Sequence, residues 1–199
     1  YGGALVNCTV VGNTAATAGG GCYVVNATNC IVYFNTSPSG SNHYFMTAGY
    51  SCTAPDPGGT GNITTDPLLL SGYRVMLASP CLGAGNSNFA TGVDIDGENW
   101  GAPPSMGCDE VYGSSLTGSL AVSVHASGLA FPTGFIAQFQ MDVVGKPASN
   151  LWTFEDEVVV TNSFRVEHAW SSTGSFDVVV SAFNTDNPLG VAATVTVSV

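Results

Sequence analysis

Basic residues are almost missing from this sequence. Among 199 residues only Arg74, Lys146 and Arg165 are basic, against 14 acidic residues, and the formal net charge is −11. Binding to a nucleic-acid backbone requires clustered Lys and Arg, and so does attraction to an anionic membrane surface. The composition therefore argues against nucleic acid as a partner, and we expect no membrane insertion because no long apolar run is present.

Charged helix formers are scarce as well. Only 9% of the residues are charged, while 25 are Gly, and Thr, Val, Ser and Asn are frequent. Long amphipathic helices need Glu, Lys and similar residues on their polar face, so this chain has little material for them. The composition predicts an all-β protein, and its acidic, Lys-poor character is typical of proteins that work outside the cell or on its surface.

The clearest pattern is a repeat of 22 residues near the start of the chain. Residues 7–14 read Asn-Cys-Thr-Val-Val-Gly-Asn-Thr, residues 29–36 read Asn-Cys-Ile-Val-Tyr-Phe-Asn-Thr, and Ser-Cys-Thr at 51–53 falls at the same interval. A repeat of this size predicts stacked turns with like residues in register. We expect Val10 to lie on Val32, and the Asn13 side chain to hydrogen-bond to that of Asn35.

Cysteine does not occur after Cys108, and no Cys-x-x-Cys pair is present, so disulfides or buried thiols are more consistent with the sequence than a zinc site. Six cysteines allow many pairings, and two interpretations stay open. Cys52 and Cys81 both lie at Pro-rich breaks and are our first choice for a disulfide. Alternatively, the cysteines at positions 8, 30 and 52 form an inward-facing row of free thiols.

Residues 1–112 resemble a known family. Asn-Cys-Thr-Val-Val-Gly-Asn, Gly-Gly-Gly-Cys-Tyr, Gly-Asn-Ile-Thr-Thr-Asp-Pro-Leu, Ala-Ser-Pro-Cys-Leu-Gly-Ala-Gly and Met-Gly-Cys-Asp-Glu follow one another in this order. In this order they resemble the C-terminal end of bacterial right-handed parallel β-helix repeat proteins of the pectate-lyase-like superfamily. The resemblance implies a short parallel β-helix with an irregular cap over its last turn.

The rest of the chain reads as a second domain. Residues 113–115 predict a short linker, and residues 116–199 alternate apolar and polar positions, as in a β-sandwich. Leu-Trp-Thr-Phe-Glu-Asp-Glu at 151–157, followed by His-Ala-Trp and Gly-Ser-Phe-Asp-Val, resembles the PKD-type immunoglobulin-like domain. Glu155 and Glu157 stand where that family has two turn glycines, so the conformation of this turn is the point of departure.

No catalytic constellation is visible. The first two repeats contain no acid and no base, and neither His43 nor His125 has a nucleophile or carboxylate partner at a recognisable spacing. His168 is expected to be a packed or hydrogen-bonded structural residue. Asp94, Asp96 and Asp109 are the best candidates for a metal site, with calcium as the ion, because Asp-x-Asp-Gly resembles the opening of a calcium loop. The alternative is an Asx turn, in which an Asp side chain caps its own backbone. No other cofactor is expected.

Two further signals are weak. Asn-x-Ser/Thr sequons at Asn7, Asn26, Asn35 and Asn62 are candidate glycosylation sites, although they arise readily in a sequence rich in Asn and Thr. The tryptophans at 100, 152 and 170 could form a sugar-stacking platform, but a Trp in an alternating strand is more typical of a core.

Together these features predict a non-catalytic extracellular or cell-surface protein with a structural or adhesive role. Its expected partners are further copies of itself or an extracellular polysaccharide. Because Tyr1 falls inside a repeat, either earlier repeats precede it or exposed strand edges assemble copies into a filament. The alternatives are the C-terminal part of a secreted polysaccharide lyase or glycoside hydrolase, and a carbohydrate-binding module.

Overall fold

A computed structural model describes residues 3–70 and 73–199. The chain divides into two compact units, of which the first comprises Tyr1–Leu68 and Gly72–Val111 and the second Leu69–Ser71 and Tyr112–Val199. The predicted all-β class is confirmed, since among the described residues the only helical segments are two 3-10 turns, Ser87–Phe89 and Gly113–Ser115. The second turn occupies the residues that the sequence predicts as a linker.

The first unit is built from two small parallel sheets. Its strands, in chain order, are β1 Ala4–Val6, β2 Thr9–Val11, β3 Cys22–Thr28, β4 Ile31–Tyr33, β5 His43–Gly49 and β6 Cys52–Thr53. One sheet has the order β1-β3-β5 and the other β2-β4-β6. Each copy of the repeat, which we call a coil, thus contributes one strand to each sheet. Short strands of β-branched and aromatic residues, ended by Gly and Asn, account for this arrangement.

The predicted stacking of the first two coils is confirmed. Val10 pairs with Val32 in the parallel register, 22 residues apart like Asn13 and Asn35. Asn35 is buried, and its side-chain oxygen accepts hydrogen bonds from the backbone N–H of Asn13 at 2.9 Å and from the Asn13 amide at 3.0 Å. Its own amide donates to the backbone oxygens of Val10 at 2.8 Å and Tyr33 at 2.9 Å. One side chain therefore satisfies the backbone of two coils.

The register changes by one residue at the third coil. Cys52 pairs with Ile31, and the backbone N–H of Cys30 donates to the hydroxyl of Ser51, 21 residues away. Cys8 and Cys30 lie in register as free thiols, but the predicted row does not continue to Cys52, because Ser51 stands at the third position. Thr14 is bridged to Thr36 and Ala18 to Ser39, so the second coil makes the same turn with one residue fewer.

The irregular segment after the coils, residues 54–70 and 73–111, also differs from the predicted cap. Asn86 donates its backbone N–H to the Asn29 side chain at 2.7 Å, and the N–H of Cys108 donates to the Thr9 hydroxyl at 3.1 Å. Gly107 has φ +102, and a Cβ there would lie 2.8 Å from the Thr9 hydroxyl oxygen. The segment thus runs along the first two coils as well as following the third.

The second unit is a sandwich of two antiparallel sheets, ordered β10-β9-β12-β13 and β11-β8-β7. Its strands are β7 Ala121–Ala126, β8 Ala137–Val144, β9 Ser149–Phe154, β10 Val159–Thr161, β11 Arg165–His168, β12 Ser175–Asn184 and β13 Asn187–Ser198. The core between the sheets includes Phe139, Met141, Trp152 and Trp170. The Trp152 indole N–H donates to the Ser163 backbone oxygen at 2.7 Å, so the polar N–H group of this buried side chain has a hydrogen-bond partner.

The turn between β9 and β10 keeps the backbone of a glycine turn without glycine. The backbone N–H of Glu157 donates to the oxygen of Phe154, and Glu157 has φ 71. A residue with a Cβ in the left-handed region costs about 1 to 2 kcal/mol. The turn geometry that the sequence left open is therefore formed with a strained Glu.

We predict that Asn35→Ala destabilises the first unit by about 1 to 3 kcal/mol, because it leaves buried backbone groups of two coils without hydrogen-bond partners. Urea unfolding of the full chain, followed by tyrosine fluorescence, measures the loss. Asn88→Ala is the matched control, since Asn88 is exposed in the same unit. An equal effect of the two substitutions would contradict the structural role of Asn35.

We also predict that Glu157→Gly stabilises the sandwich by about 1 kcal/mol, because glycine adopts positive φ without steric strain. Thermal unfolding followed by tryptophan fluorescence measures the change, since Trp152 and Trp170 are buried in this unit. Glu167→Gly is the control, because Glu167 lies within strand β11, where glycine weakens the structure. A loss of stability in Glu157→Gly would count against strain at this turn.

Candidate functional site

The acidic residues of the first unit converge on one guanidinium group. Arg74 is 4% exposed, and its Nη1 donates to both carboxylate oxygens of Asp109, at 3.1 and 3.3 Å. Its Nη2 donates to the carboxylate of Asp96. Asp109 lies near the end of the irregular segment and Asp96 lies in a turn within it. Folding therefore brings both residues to Arg74, from which they are distant in sequence. The sequence did not predict a role for Arg74 in this cluster, because no residue near it in the sequence indicates a partner.

Asp94 caps its own turn instead of facing a cation. Its Oδ1 accepts from the backbone N–H groups of Asp96 at 2.9 Å and Glu98 at 2.7 Å, and its Oδ2 accepts from that of Glu110 at 3.0 Å. This is the Asx-type turn that the sequence left open as the alternative to calcium.

The predicted calcium ligands are thus engaged elsewhere. Asp96 and Asp109 contact Arg74, and Asp94 binds backbone N–H groups. Within residues 3–70 and 73–199, no group of three or more His, Cys, Asp or Glu side chains could hold a metal ion. The arrangement places a guanidinium where the calcium prediction placed a cation.

Glu110 has a comparable structural role beside this cluster. It is buried, and its Oε2 accepts from the backbone N–H groups of Gly101 at 3.0 Å and Ser105 at 2.8 Å. Its Oε1 accepts from the Ser105 hydroxyl at 2.6 Å. Three donors satisfy the buried carboxyl group, so Glu110 holds the irregular backbone in place.

Burial has a different effect on Asp109. It raises the pKa of Asp109 from 3.8 to about 7, and the nearby carboxylates of Asp96, Asp94 and Glu98 act in the same direction, while Arg74 opposes them. A single guanidinium shared between two carboxylates does not offset the desolvation of the more buried one. Asp109 therefore holds its proton in the folded state at pH values where it is ionised in the unfolded chain.

The cysteines are all free thiols, and four of them form two close pairs. Cys52 and Cys81 share a side-chain hydrogen bond, which raises the pKa of Cys52 and lowers that of Cys81. Cys8 and Cys30 interact in the same way on adjacent coils. The structure brings the predicted disulfide partners Cys52 and Cys81 together as thiols, and a bond between them stays a prediction.

The candidate glycosylation sites differ in access. Asn26 is exposed on β3. Asn35 is buried and donates its amide to backbone oxygens, so a glycan there has no room, and that prediction is not supported by the structure. The Asn62 amide donates to Asp56 at 3.1 Å and to two backbone oxygens, and the Asn7 amide donates to the Phe89 oxygen at 2.9 Å.

The histidines have local partners, and only His125 has a carboxylate neighbour that the sequence did not indicate, since His168 was expected to be packed or hydrogen-bonded. His125 lies 3.0 Å from Asp142 and His168 lies 2.7 Å from Asp156, in both cases through Nε2. His43 contacts the backbone oxygen of Pro55 at 2.8 Å. The His125–Asp142 pair is on neighbouring exposed strands, and His168 also stacks on Phe154. These contacts are typical of strand pairing and packing.

The exposed aromatic residues among those described are tyrosines and phenylalanines. Trp152 and Trp170 are buried in the sandwich core, which confirms the core interpretation for both. Trp100 is half-buried and lines a groove of about 420 Å³ together with Val93, Ile95 and Asp94. A second groove, of about 630 Å³, is lined by Thr17, Ala18, Tyr23, Ser39 and Tyr44.

The comparisons with known proteins bear on the second unit. Residues 121–199 match the model of the PKD domain. This match and the two-sheet sandwich confirm the PKD-type assignment of that part of the chain. No curated protein and no solved structure matches the chain. None of the described helices is long and apolar enough to cross a membrane.

We predict that the stability of the first unit falls as the pH rises from about 4 to about 7, because the raised pKa of Asp109 favours the protonated folded state below that range. The stabilisation from Asp109 is complete below its pKa in the unfolded chain and is lost as the pH rises through its pKa in the folded protein. Asp109→Asn should flatten this dependence.

Urea unfolding across the same pH range measures this dependence. Asp66→Asn, at an exposed position of the same unit, is the matched control and should keep the slope of the unmodified protein. A slope that persists unchanged in Asp109→Asn would show that another group is responsible.

Proposed function

We propose that this chain is a non-catalytic extracellular structural or adhesive protein, in which a short parallel β-helix is followed in the sequence by a PKD-type module. The support for the β-helix is the parallel register of three successive coils and the side-chain hydrogen bonds of Asn13 and Asn35 along the stack. PKD domains are in general extracellular modules, and the match at residues 121–199 supports that location.

The arrangement of the acidic groups favours a structural role. In the first unit Asp94 and Glu110 bind backbone N–H groups, and Asp96 and Asp109 bind Arg74. General acid–base catalysis requires a titratable group within hydrogen-bond reach of a substrate. These four carboxylates instead hold an irregular backbone segment together, and this is the observation that carries the proposal.

Open strand edges supply a route to self-association. β1 and β2 are edge strands of their sheets, and a preceding part of the chain or a second copy can add a strand there. In the sandwich, β13 is an edge strand without a charged residue. Among the described residues, the outer edge of β13 is bridged only at Ser198, to Ala130. A long uncharged edge is a template for strand addition.

The alternatives from the sequence remain distinct proposals. As part of a polysaccharide lyase or glycoside hydrolase, the chain would contribute coils to an active site elsewhere in a longer protein. Further coils with clustered acidic residues and Arg in a longer protein that contains this chain would favour this alternative over ours. The carbohydrate-binding alternative has a specific observation in its favour, the exposed groove beside Tyr23 and Tyr44.

We predict concentration-dependent self-association that involves the β13 edge. Sedimentation velocity should show assemblies that grow with protein concentration, and electron microscopy should show rods or filaments. Thr194→Lys places a charge on the exposed edge and should shift the distribution toward monomer. Gln138→Lys is the control, because β8 lies between two strands. A monomer at all concentrations, or equal effects of both variants, would overturn assembly through this edge.

A further inference from the structure

Cys8 and Cys30 occupy equivalent positions on the first two coils. Each immediately precedes a strand of the β2-β4-β6 sheet, and the residues that follow them, Thr9 and Ile31, pair in the parallel register. The backbone N–H of Ile31 donates to the oxygen of Cys8 at 2.9 Å. Neighbouring strands lie about 4.8 Å apart, and disulfides join residues whose Cα atoms are about 4.4 to 6.8 Å apart. The register therefore holds the two cysteines at a separation that a disulfide can span.

The two thiols also have the same orientation. The Cys8 sulfur lies 3.1 Å from the backbone oxygen of Val6, and the Cys30 sulfur lies 3.2 Å from that of Thr28. Each thiol thus contacts the residue two positions before it, and both side chains belong to the apolar cluster of the coils. The two sulfur atoms are within hydrogen-bond reach of each other. Stacking of the coils therefore places one thiol on the other.

The neighbours of Cys30 identify its thiol partner. On the third coil Ser51 stands in its place, and the Ser51 hydroxyl accepts from the backbone N–H of Cys30 at 3.1 Å. Cys52 belongs to a separate pair. Cys22 packs in the same cluster but lies on β3, which is in the other sheet. Cys8 is therefore the thiol that is stacked directly on Cys30.

The two thiols differ in access and in acidity. Cys8 is half-buried, whereas Cys30 is fully enclosed. A hydrogen bond from the Cys30 thiol lowers the pKa of Cys8 to about 6, and the same hydrogen bond together with burial raises the pKa of Cys30. The thiolate is the nucleophile in thiol–disulfide exchange. Cys8 is thus suited to attack an oxidant from solvent, and Cys30 to react second.

We propose that Cys8 and Cys30 form a dithiol site that small-molecule disulfides, such as oxidised glutathione, convert to a covalent cross-link between the first two coils. This site is independent of the proposed structural or adhesive function.

The reaction is two successive thiol–disulfide exchanges. The Cys8 thiolate attacks one sulfur of the oxidant, the S–S bond of the oxidant breaks, and one small thiolate leaves while Cys8 forms a mixed disulfide. Cys30 gives its proton to the released thiolate, and its sulfur attacks the Cys8 sulfur and displaces the second small thiolate, which takes a proton from water. The protein loses two electrons and two protons, and the small disulfide is reduced to two thiols.

The test is incubation of the reduced full chain with excess oxidised glutathione. The remaining thiols are then blocked with N-ethylmaleimide in denaturant, and the chain is digested with pepsin at low pH, where thiol exchange stops because thiolates are protonated. Pepsin replaces trypsin because no Lys or Arg precedes Arg74. Mass spectrometry should show a peptide pair joined through Cys8 and Cys30 that a reductant separates.

Single substitutions test the order of the two exchanges. Cys30→Ser should accumulate glutathione on Cys8, because the second thiol is missing. Cys8→Ser should slow the oxidation of Cys30 at least about tenfold, because the enclosed thiol loses its access to the oxidant. Cys108→Ser is the matched control, since Cys108 is also a half-buried free thiol of the first unit, and it should form the cross-link as the unmodified chain does.

Thermal unfolding of each variant separates a lost reaction from lost folding, and the peptide assignment in the unmodified chain does not depend on any variant. Full labelling of both Cys8 and Cys30 by N-ethylmaleimide after the incubation would overturn the proposal. A peptide pair that joins Cys8 to Cys22 instead would overturn it as well, because it would show that the parallel register does not select the partner.

Discussion

The satisfaction of backbone hydrogen bonds by asparagine side chains is the constraint on which the first unit depends. At each corner of a coil the strand ladder ends, and buried N–H and C=O groups need other partners. Asn35 serves two coils at once, and Asn29 joins Asn7 on one side and Asn86 on the other. The same side chains thus hold the coils to one another and bind the irregular segment to them. The small interior of Cys, Val and Ala can then pack without long helices or a large core.

The acidic residues solve a related problem in the segment that lacks strands. With few regular hydrogen bonds available, Asp94 and Glu110 supply acceptors to backbone N–H groups, and Arg74 donates hydrogen bonds to the carboxyl groups of Asp109 and Asp96. A chain with so few cations gains a compact, low-charge interior by sharing a single guanidinium. Burial is the main cause of the raised pKa of Asp109, and the positive charge of Arg74, which Asp109 shares with Asp96, opposes this rise.

Much of the fold could be predicted from the sequence, because it depends on local patterns. Identical residues at a fixed interval predicted the pairing of Val10 with Val32, and alternation predicted the sandwich. The third coil could not be predicted, since a turn shortened by one residue changes the register without any local signal. A strict period of 22 would pair Phe45 with Tyr23, whereas the structure pairs Tyr44 with Tyr23. The stacking of these two tyrosine rings could therefore not be predicted. The partners of the acidic residues were missed because Arg74 is distant in sequence from Asp96 and Asp109.

The burial of Arg74 also bears on cleavage of the chain by trypsin-like proteases. Trypsin-like enzymes cleave after Lys or Arg in an accessible, extended segment, and Arg74 is the single basic residue of the first unit. With its side chain enclosed by Asp96 and Asp109, the folded coils and the segment that follows them offer such an enzyme no side chain to recognise. Lys146 and Arg165, both in the sandwich, are the remaining Lys and Arg residues, so the resistance of the first unit to trypsin-like enzymes follows from its composition.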